Sequence, residues 1–302
     1  MQFSDRLVEK ITQTSNIVVG IDPNFDLMPK AILPASGDSQ AVTNALVNFA
    51  KLAIDTAYNL IPAVKFQSAY FEQFGSAGIK ALAQSIEYAR NQKLLVILDA
   101  KRGDIGSTSL AYAQAYLEGK TKLTNGLTIE SDLEVDCITI NPFLGDDSLE
   151  PFVETAIKCN KGLFILVKTS NPGSHMIQDR VVNGKTISYY LAELVNQLGK
   201  DSIGKSGYSS IGAVVGATFP EQAKQLREIM PNAIFLVPGV GSQGGKIENT
   251  FINFNPDGQG AIVPISRGIT YFSNLDMSLE EYQLSMRKKV EYFVEITKKS
   301  SN

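Results

Sequence analysis

Histidine, cysteine and tryptophan are scarce in this chain, which has one His, two Cys and no Trp among 302 residues. No CxxC or HxxxH spacing occurs, so the pattern of a Cys/His zinc site is missing. A single His also leaves little material for Ser-His-Asp or Cys-His catalysis. We expect Cys137 and Cys159 to be buried small residues and His175, in a Pro/Gly/Ser-rich stretch, to be a solvated loop residue.

A basic excess is missing as well, since 28 Lys and Arg stand against 31 Asp and Glu. This balance argues against a partner that is nucleic acid or an anionic membrane. No window reaches the roughly 18 apolar residues of a membrane span, and residues 1–6 lack the apolar segment of a signal peptide. We therefore expect a cytoplasmic protein. A few local donors could still bind one phosphate.

Short apolar runs recur along the chain, and most are continuous rather than alternating. This pattern is typical of strands buried on both faces of a parallel sheet. Eight such runs predict eight strands, at residues 17–22, 62–67, 94–99, 137–140, 163–168, 211–216, 234–237 and 261–265.

Amphipathic segments with helical spacing lie between these runs. They predict helices at residues 42–58, 79–90, 109–117, 149–157, 186–198, 221–230 and 279–297, with a short helix at 5–12 covering one end of the sheet. Eight βα units fit either a (β/α)₈ TIM barrel or a doubly wound sheet. We favour one TIM-barrel domain over residues 1–302, with additional N- and C-terminal helices, because polar residues follow the strands where barrel enzymes build their sites.

The densest polar segment follows the third predicted strand and reads Asp99-Ala-Lys101-Arg-Gly-Asp104. The two-residue period of a strand places Asp99 and Lys101 on the same side. A carboxylate beside an ammonium keeps both charged and holds the lysine in place. Such an acid-base-acid set suits proton transfer in a site without His. The alternative is an ordinary ion pair at the barrel end.

Two glycine-rich segments follow the seventh and eighth predicted strands, at residues 237–245 and 265–268. Many TIM barrels bind phosphate there, because glycines let backbone N–H groups approach the anion and Arg267 adds a charged fork. A third segment, from Val167 to Ser174, carries hydroxyls that could bind a planar heterocycle, and its composition is equally typical of a turn.

Together these segments resemble orotidine 5'-phosphate decarboxylase of the longer bacterial subfamily. The resemblance rests on Gly20-Ile-Asp22-Pro, Val64-Lys65-Phe-Gln67, Asp99-Ala-Lys101-Arg-Gly-Asp104-Ile-Gly-Ser-Thr108, Asn141-Pro-Phe-Leu-Gly145, Lys168-Thr169-Ser170-Asn171-Pro, Gly239-Val-Gly241-Ser-Gln243 and Ser266-Arg267-Gly268. It implies a TIM barrel that decarboxylates orotidine 5'-phosphate to UMP, works as a homodimer with shared active sites, and needs neither a metal nor an organic cofactor.

The resemblance also implies catalytic roles. Lys101 would protonate C6 of the pyrimidine as CO₂ leaves, and Asp99 would sit by the substrate carboxylate and help to fix Lys101. Asp104 and Thr108 would reach the ribose in the neighbouring subunit's site.

The implied binding residues follow the same order. Asp22 and Lys65 would bind ribose hydroxyls, and Thr169 and Ser170 would meet the pyrimidine edge. The phosphate would be held by Gln243, Arg267, Gly241 and Gly268. Gln67 stands where some members have Asn, which leaves its role open.

Two other functions remain compatible with the residues. A sugar-phosphate decarboxylase or aldolase on a related barrel would need Mg²⁺ and an added carboxylate ligand, for which Glu72 and Glu130 are the candidates. A nucleotide-binding barrel without catalysis would keep Arg267 and the glycines, but it would not need the full Asp-Lys-Asp set.

Overall fold

Eight parallel strands close into a barrel in the computed structural model, which describes residues 1–241 and 244–299. Each strand pairs with its neighbours along the chain, and the first pairs with the last through Ile17 and Val263. The strands are β1 (Ile17–Ile21), β2 (Ala63–Gln67), β3 (Leu95–Arg102), β4 (Cys137–Ile140), β5 (Gly162–Lys168), β6 (Ser209–Val215), β7 (Ala233–Leu236) and β8 (Ala261–Ile265). All eight predicted strands are therefore confirmed.

Helices alternate with the strands and surround the barrel. They are α1 (Phe3–Gln13), α2 (Ser39–Ala57), α3 (Ser68–Glu72), α4 (Gly75–Asn91), α5 (Gly106–Ala113), α6 (Glu150–Cys159), α7 (His175–Gln178), α8 (Ile187–Leu198), α9 (Pro220–Ile229), α10 (Arg267–Thr270) and α11 (Leu279–Lys299). The eight predicted helices correspond to α1, α2, α4, α5, α6, α8, α9 and α11. None of the helices in the described ranges is long and apolar enough to cross a membrane.

At its lower end, where the strands begin, the inside of the barrel is filled by α1. Phe3 and Leu7 pack against strand residues that point inward, and the ring of Phe3 meets that of Phe164 edge-on with centroids 6.4 Å apart. Gly162 permits this approach, since a Cβ there would lie 2.2 Å from the Phe3 ring. The lower end is thus closed by apolar packing, which leaves the other end for chemistry.

A second apolar layer lies between the strands and the helices. In α11, Tyr282, Met286 and Val290 are fully buried in this layer. Burying large apolar side chains stabilises a fold by roughly 1.5–3 kcal/mol each. The C-terminal helix is therefore part of the barrel's core packing.

Three details differ from the sequence expectations. The predicted loops at 119–134 and 170–185 each contain a two-stranded hairpin, Lys120–Lys122 with Thr128–Glu130 and Val181–Val182 with Lys185–Thr186. Their strands are too short to show an apolar pattern, and none of their residues is buried. His175 is exposed as expected, but it begins α7, and Cys159 is only partly buried whereas Cys137 is fully buried.

Candidate active site

A cleft of about 470 Å³ opens at the end of the barrel where the strands finish. Its volume lies within the range of roughly 300–1,000 Å³ that is usual for small-molecule sites. Apolar side chains from β5, β6 and β7 form part of its lining. The polar side chains that line it are Asp22, Lys65, Gln67, Tyr70, Asp99, Lys101, Thr169, Ser170, Asn171, Ser266 and Arg267.

A second cavity, of about 540 Å³, lies at the opposite end of the barrel. Its charged groups are largely paired with one another. Arg6 lies 2.6 Å from Asp136, and Lys161 lies 2.6 Å from Glu134. The residues predicted to carry chemistry gather in the smaller cleft, so we take that cleft as the candidate site.

Four charged side chains form a connected array along one wall of the cleft. Lys65 Nζ lies 3.0 Å from Asp99 Oδ2 and 3.9 Å from Asp22 Oδ1, and Lys101 Nζ lies 2.5 Å from Asp99 Oδ1. The Thr139 hydroxyl also donates to Asp99 Oδ1, at 2.9 Å. Charges therefore alternate from Asp22 to Lys101, with Asp99 in the centre.

Burial and pairing act in opposite directions on this array. Burial favours a neutral Asp99, but the adjacent ammonium groups of Lys65 and Lys101 hold the pKa of its carboxyl well below its usual range. Burial likewise disfavours a charged Lys65, but Asp99 and Asp22 raise the pKa of its ammonium above the ordinary value. Asp99 is thus an anion and Lys65 a cation at neutral pH.

Lys101 reaches Asp99 through an irregular backbone. It has a φ of +48°, in the left-handed region that residues with a Cβ seldom adopt. The pairing of β3 with β4 shifts register between Leu98 and Arg102. The Lys101 N–H donates to the hydroxyl of Thr139 at 2.9 Å. Bulges of this kind often redirect side chains beside active sites. The sequence prediction that Asp99 and Lys101 lie together is confirmed, but by a bulged strand and not a regular one.

Asp22 presents an unpartnered oxygen to the cleft. Its Oδ1 is buried and has no hydrogen-bond partner within residues 1–241 and 244–299, and it lies 3.9 Å from Lys65 Nζ. The Tyr271 hydroxyl donates to the Asp22 carbonyl at 2.5 Å and accepts from the N–H of Asn24 at 2.9 Å. Buried polar atoms are almost always hydrogen-bonded, so the Asp22 carboxylate fits a donor such as a ligand hydroxyl.

Arg267 also lines the cleft and lies in the first turn of α10, which follows β8. It is exposed, and no carboxylate among residues 1–241 and 244–299 forms an ion pair with it. Ser266 beside it packs against Gly20 of β1, where a Cβ would lie 1.9 Å from the serine Oγ. Gly268 follows Arg267 in the same exposed turn but does not line the cleft.

The other predicted phosphate residues lie in the loop after β7. Gly239 and Val240 line the cleft. Gly241 does not, and its N–H donates to the Gly245 carbonyl at 2.8 Å. Gln243, also predicted to bind phosphate, falls outside the described residues.

Thr169 and Ser170 form the wall that follows β5, as the sequence predicted. The Thr169 N–H donates to Gln178 Oε1 at 2.9 Å, and the Ser170 carbonyl accepts from the Thr218 hydroxyl at 3.1 Å. Both ends of this wall are therefore held by side chains that do not line the cleft.

Asp104 and Thr108 do not line the cleft of their own chain. They follow β3, where the Asp104 carboxylate accepts from the Ile105 N–H at 2.8 Å and Thr108 is exposed. The apolar side chains of Ile105 and Phe143 nearby are 57% and 72% exposed. The structure thus separates these two predicted site residues from the Lys101 array.

The two carboxylates considered as metal ligands stand apart from the array. Glu72 contacts Arg102 and the hydroxyl of Ser68, and Glu130 is exposed on a hairpin. Within the two described ranges, no three His, Cys, Asp or Glu side chains lie close enough to hold a metal ion.

Sequence reasoning missed Thr139 and Tyr271. Thr139 has a signal in the sequence, because it is a hydroxyl residue within the short apolar run that forms β4, and the structure buries it fully. Tyr271 has none, because its contact with Asp22 spans 249 residues.

Comparison with known proteins gives the family. The model of the orotidine 5'-phosphate decarboxylase / HUMPS family matches residues 15–282. The chain belongs to this family.

Whole-chain relatives agree with the family match. Orotidine 5'-phosphate decarboxylases from Caldicellulosiruptor bescii and Rhodopirellula baltica are each 43% identical to the chain, over 90% of it and over 90% and 89% of the relatives. The structure of Leishmania donovani OMP decarboxylase is 27% identical, has a TM-score of 0.76, and is matched over 100% of this chain and 99% of that one. The family resemblance and the TIM barrel predicted from sequence are therefore confirmed.

Proposed function

We propose that this chain decarboxylates orotidine 5'-phosphate to UMP and CO₂, the last step of UMP biosynthesis, with Lys101 as the proton donor. The family assignment makes it a carboxy-lyase of this kind. The observation that carries the proposed mechanism is the array of Lys65, Asp99 and Lys101 at one wall of a cleft that Arg267 also lines.

The reaction breaks the bond between C6 and the carboxylate, and its electron pair stays on C6 while CO₂ leaves. No carbonyl adjacent to C6 delocalises this charge, so the protein has to stabilise it electrostatically and supply a proton. Lys101 can do both, because its ammonium is fixed by Asp99 at 2.5 Å and lines the cleft. After transfer of a proton from Nζ to C6, solvent reprotonates the neutral amine.

Asp99 and Lys65 keep this donor in place. Asp99 lies beside the expected position of the substrate carboxylate, and Lys65 neutralises the side of Asp99 that faces away from Lys101. Lys65 and the unpartnered oxygen of Asp22 are suited to ribose hydroxyls.

The remaining contacts extend across the cleft. We assign the pyrimidine edge to Thr169 and Ser170. We assign the phosphate to Arg267, Gly241, Gly268 and Gln243. In this arrangement, binding energy from the remote phosphate can be used at the reacting carbon.

We further propose a homodimer in which each active site uses both chains. The support is the position of Asp104 and Thr108 outside their own cleft, next to exposed apolar side chains at Ile105, Phe143 and Leu144. Single-domain organisation over residues 1–302 is supported by the packing of both terminal helices on one barrel. We also propose that the enzyme acts in the cytoplasm and needs no metal or organic cofactor.

A spectrophotometric assay with orotidine 5'-phosphate, with and without EDTA, tests this proposal. We expect turnover that EDTA does not change. Loss of turnover with chelator would favour the metal-dependent alternative. Nucleotide binding without CO₂ release would favour a barrel that only binds.

A further inference from the structure

Lys168 is a fully buried cation behind the wall formed by Thr169 and Ser170. It ends β5, its side chain is 0% exposed, and it is not among the described residues that line the cleft. Its Nζ lies 2.6 Å from Asp179 Oδ1 and 4.3 Å from the ring centroid of Phe219. A buried ammonium is costly unless it is paired, so Lys168 requires Asp179 at this position.

Asp179 carries this requirement to the segment after the wall. It directly follows α7 and also accepts a hydrogen bond from Gln222 Nε2 at 3.0 Å. The preceding residue, Gln178, accepts from the Thr169 N–H and donates from Nε2 to the Thr169 hydroxyl, both at 2.9 Å. The ion pair therefore fixes the end of α7, and α7 in turn holds Thr169 by two hydrogen bonds.

Ser170 is held from the other side by the chain that leaves β6. The Gly216 N–H donates to the Lys168 carbonyl at 2.8 Å, and the Thr218 hydroxyl donates to the Ser170 carbonyl at 3.1 Å. A Cβ at Gly216 would lie 2.8 Å from the Ser170 backbone, so glycine is needed for this approach. The wall thus sits between two fixed supports and has little freedom to move.

We propose that Lys168 is a positioning residue that acts through its ion pair with Asp179 to hold Thr169 and Ser170 against the edge of the pyrimidine base. This inference rests on the proposed function, since it takes the base of the nucleotide as the group that the wall meets. A displacement of α7 would leave the buried ammonium unpaired, so the pair selects one position of the wall over its neighbours. An apolar residue at position 168 could pack in the same space, but it would not favour one position of the wall over another.

The test compares two competitive inhibitors of orotidine 5'-phosphate turnover. UMP carries the base, and ribose 5-phosphate lacks it. In Lys168→Met, we expect the inhibition constant of UMP to rise by about 10- to 100-fold, the size of effect that a small misplacement of site groups produces, while that of ribose 5-phosphate stays unchanged. Lys185→Met is the control, because Lys185 belongs to the same loop at 170–185 and its Nζ pairs with Glu193 at 2.8 Å on the surface. Both constants should stay at the wild-type values.

Gln178→Met tests the same path without disturbing a buried charge. Gln178 is only partly buried, so this variant should fold, and losing its two hydrogen bonds to Thr169 should give the same selective loss of UMP binding. An equal loss for both inhibitors, or no loss for UMP in either variant, would overturn the positioning role. Failure of the wild-type protein to turn over orotidine 5'-phosphate or to bind UMP would instead reject the proposed function and this inference with it.

Discussion

Replacing Lys101 with alanine should abolish catalysis and leave the fold almost unchanged. The structure separates these two effects. The Lys101 side chain is 43% exposed, and without it Asp99 still has Lys65 Nζ at 3.0 Å and the Thr139 hydroxyl at 2.9 Å. The pair is exposed only at its Lys101 end, and Asp99 keeps two other partners, so we expect the free energy of unfolding to change by no more than about 1 kcal/mol, the upper value for an exposed pair.

The expected loss of activity follows from the two roles of the same group. A positioned proton donor contributes roughly 10²–10⁴-fold, and a charge aimed at a developing anion about 10²–10³-fold. Lys101→Ala removes both, so kcat should fall by at least about 10⁴-fold. Absorbance of the pyrimidine during turnover reports kcat, and urea unfolding reports stability.

Lys185→Ala is the matched control for this experiment. Its side chain is 39% exposed and its Nζ lies 2.8 Å from Glu193, so it loses a similar ion pair away from the cleft. Turnover should stay at the wild-type rate. A small primary amine should restore part of the activity of Lys101→Ala, because it can occupy the space left by the side chain. Near wild-type kcat in folded Lys101→Ala, without added amine, would remove Lys101 from the mechanism.

Three further outcomes follow from the site. Arg267→Ala should weaken UMP strongly and uridine hardly at all, measured as inhibition constants; an equal loss for both would assign the arginine a structural role. Mixing Lys101→Ala with Asp104→Ala and allowing subunits to exchange should restore activity at about a quarter of the sites, because about half of the dimers are mixed and each has one intact site; no recovery would contradict shared sites. The pKa of Asp99 is depressed in the fold, so its pairing stabilises the protein above the unfolded value of about 3.9 and this contribution is lost as the pH falls below it. In Asp99→Asn, the free energy of unfolding should therefore fall less steeply as the pH drops from about 5 to about 3. The same pH dependence in the variant and the wild type, measured by urea unfolding at each pH, would show that Asp99 is not the group responsible.

The sequence determined the order and type of the main elements. Eight apolar runs mark the eight strands, because strands covered on both faces bury nearly every side chain. The residues after those runs mark the end of the barrel that carries the site, since parallel strands all finish at the same end. Lys101, Asp99 and Arg267 could be predicted for this reason.

Contacts between distant segments were decided only by the tertiary structure. The ion pair of Lys65 with Asp99 depends on the register of β2 against β3, which pairs Gln67 with Asp99. Thr139 reaches Asp99 from the next strand, 40 residues along the chain. No local pattern encodes such distances, because they arise when neighbouring strands pair and the barrel closes.

The two hairpins and the position of Asp104 were likewise decided only by the tertiary structure. The strands of the hairpins are short and contain no buried residue, so they leave no periodic signal in the sequence. Asp104 is three residues from Lys101, yet it lies outside the cleft of its own chain. The chain leaves the barrel through a left-handed Lys101 and a shifted register, and this backbone path, which spacing alone does not specify, sets which residues face the substrate.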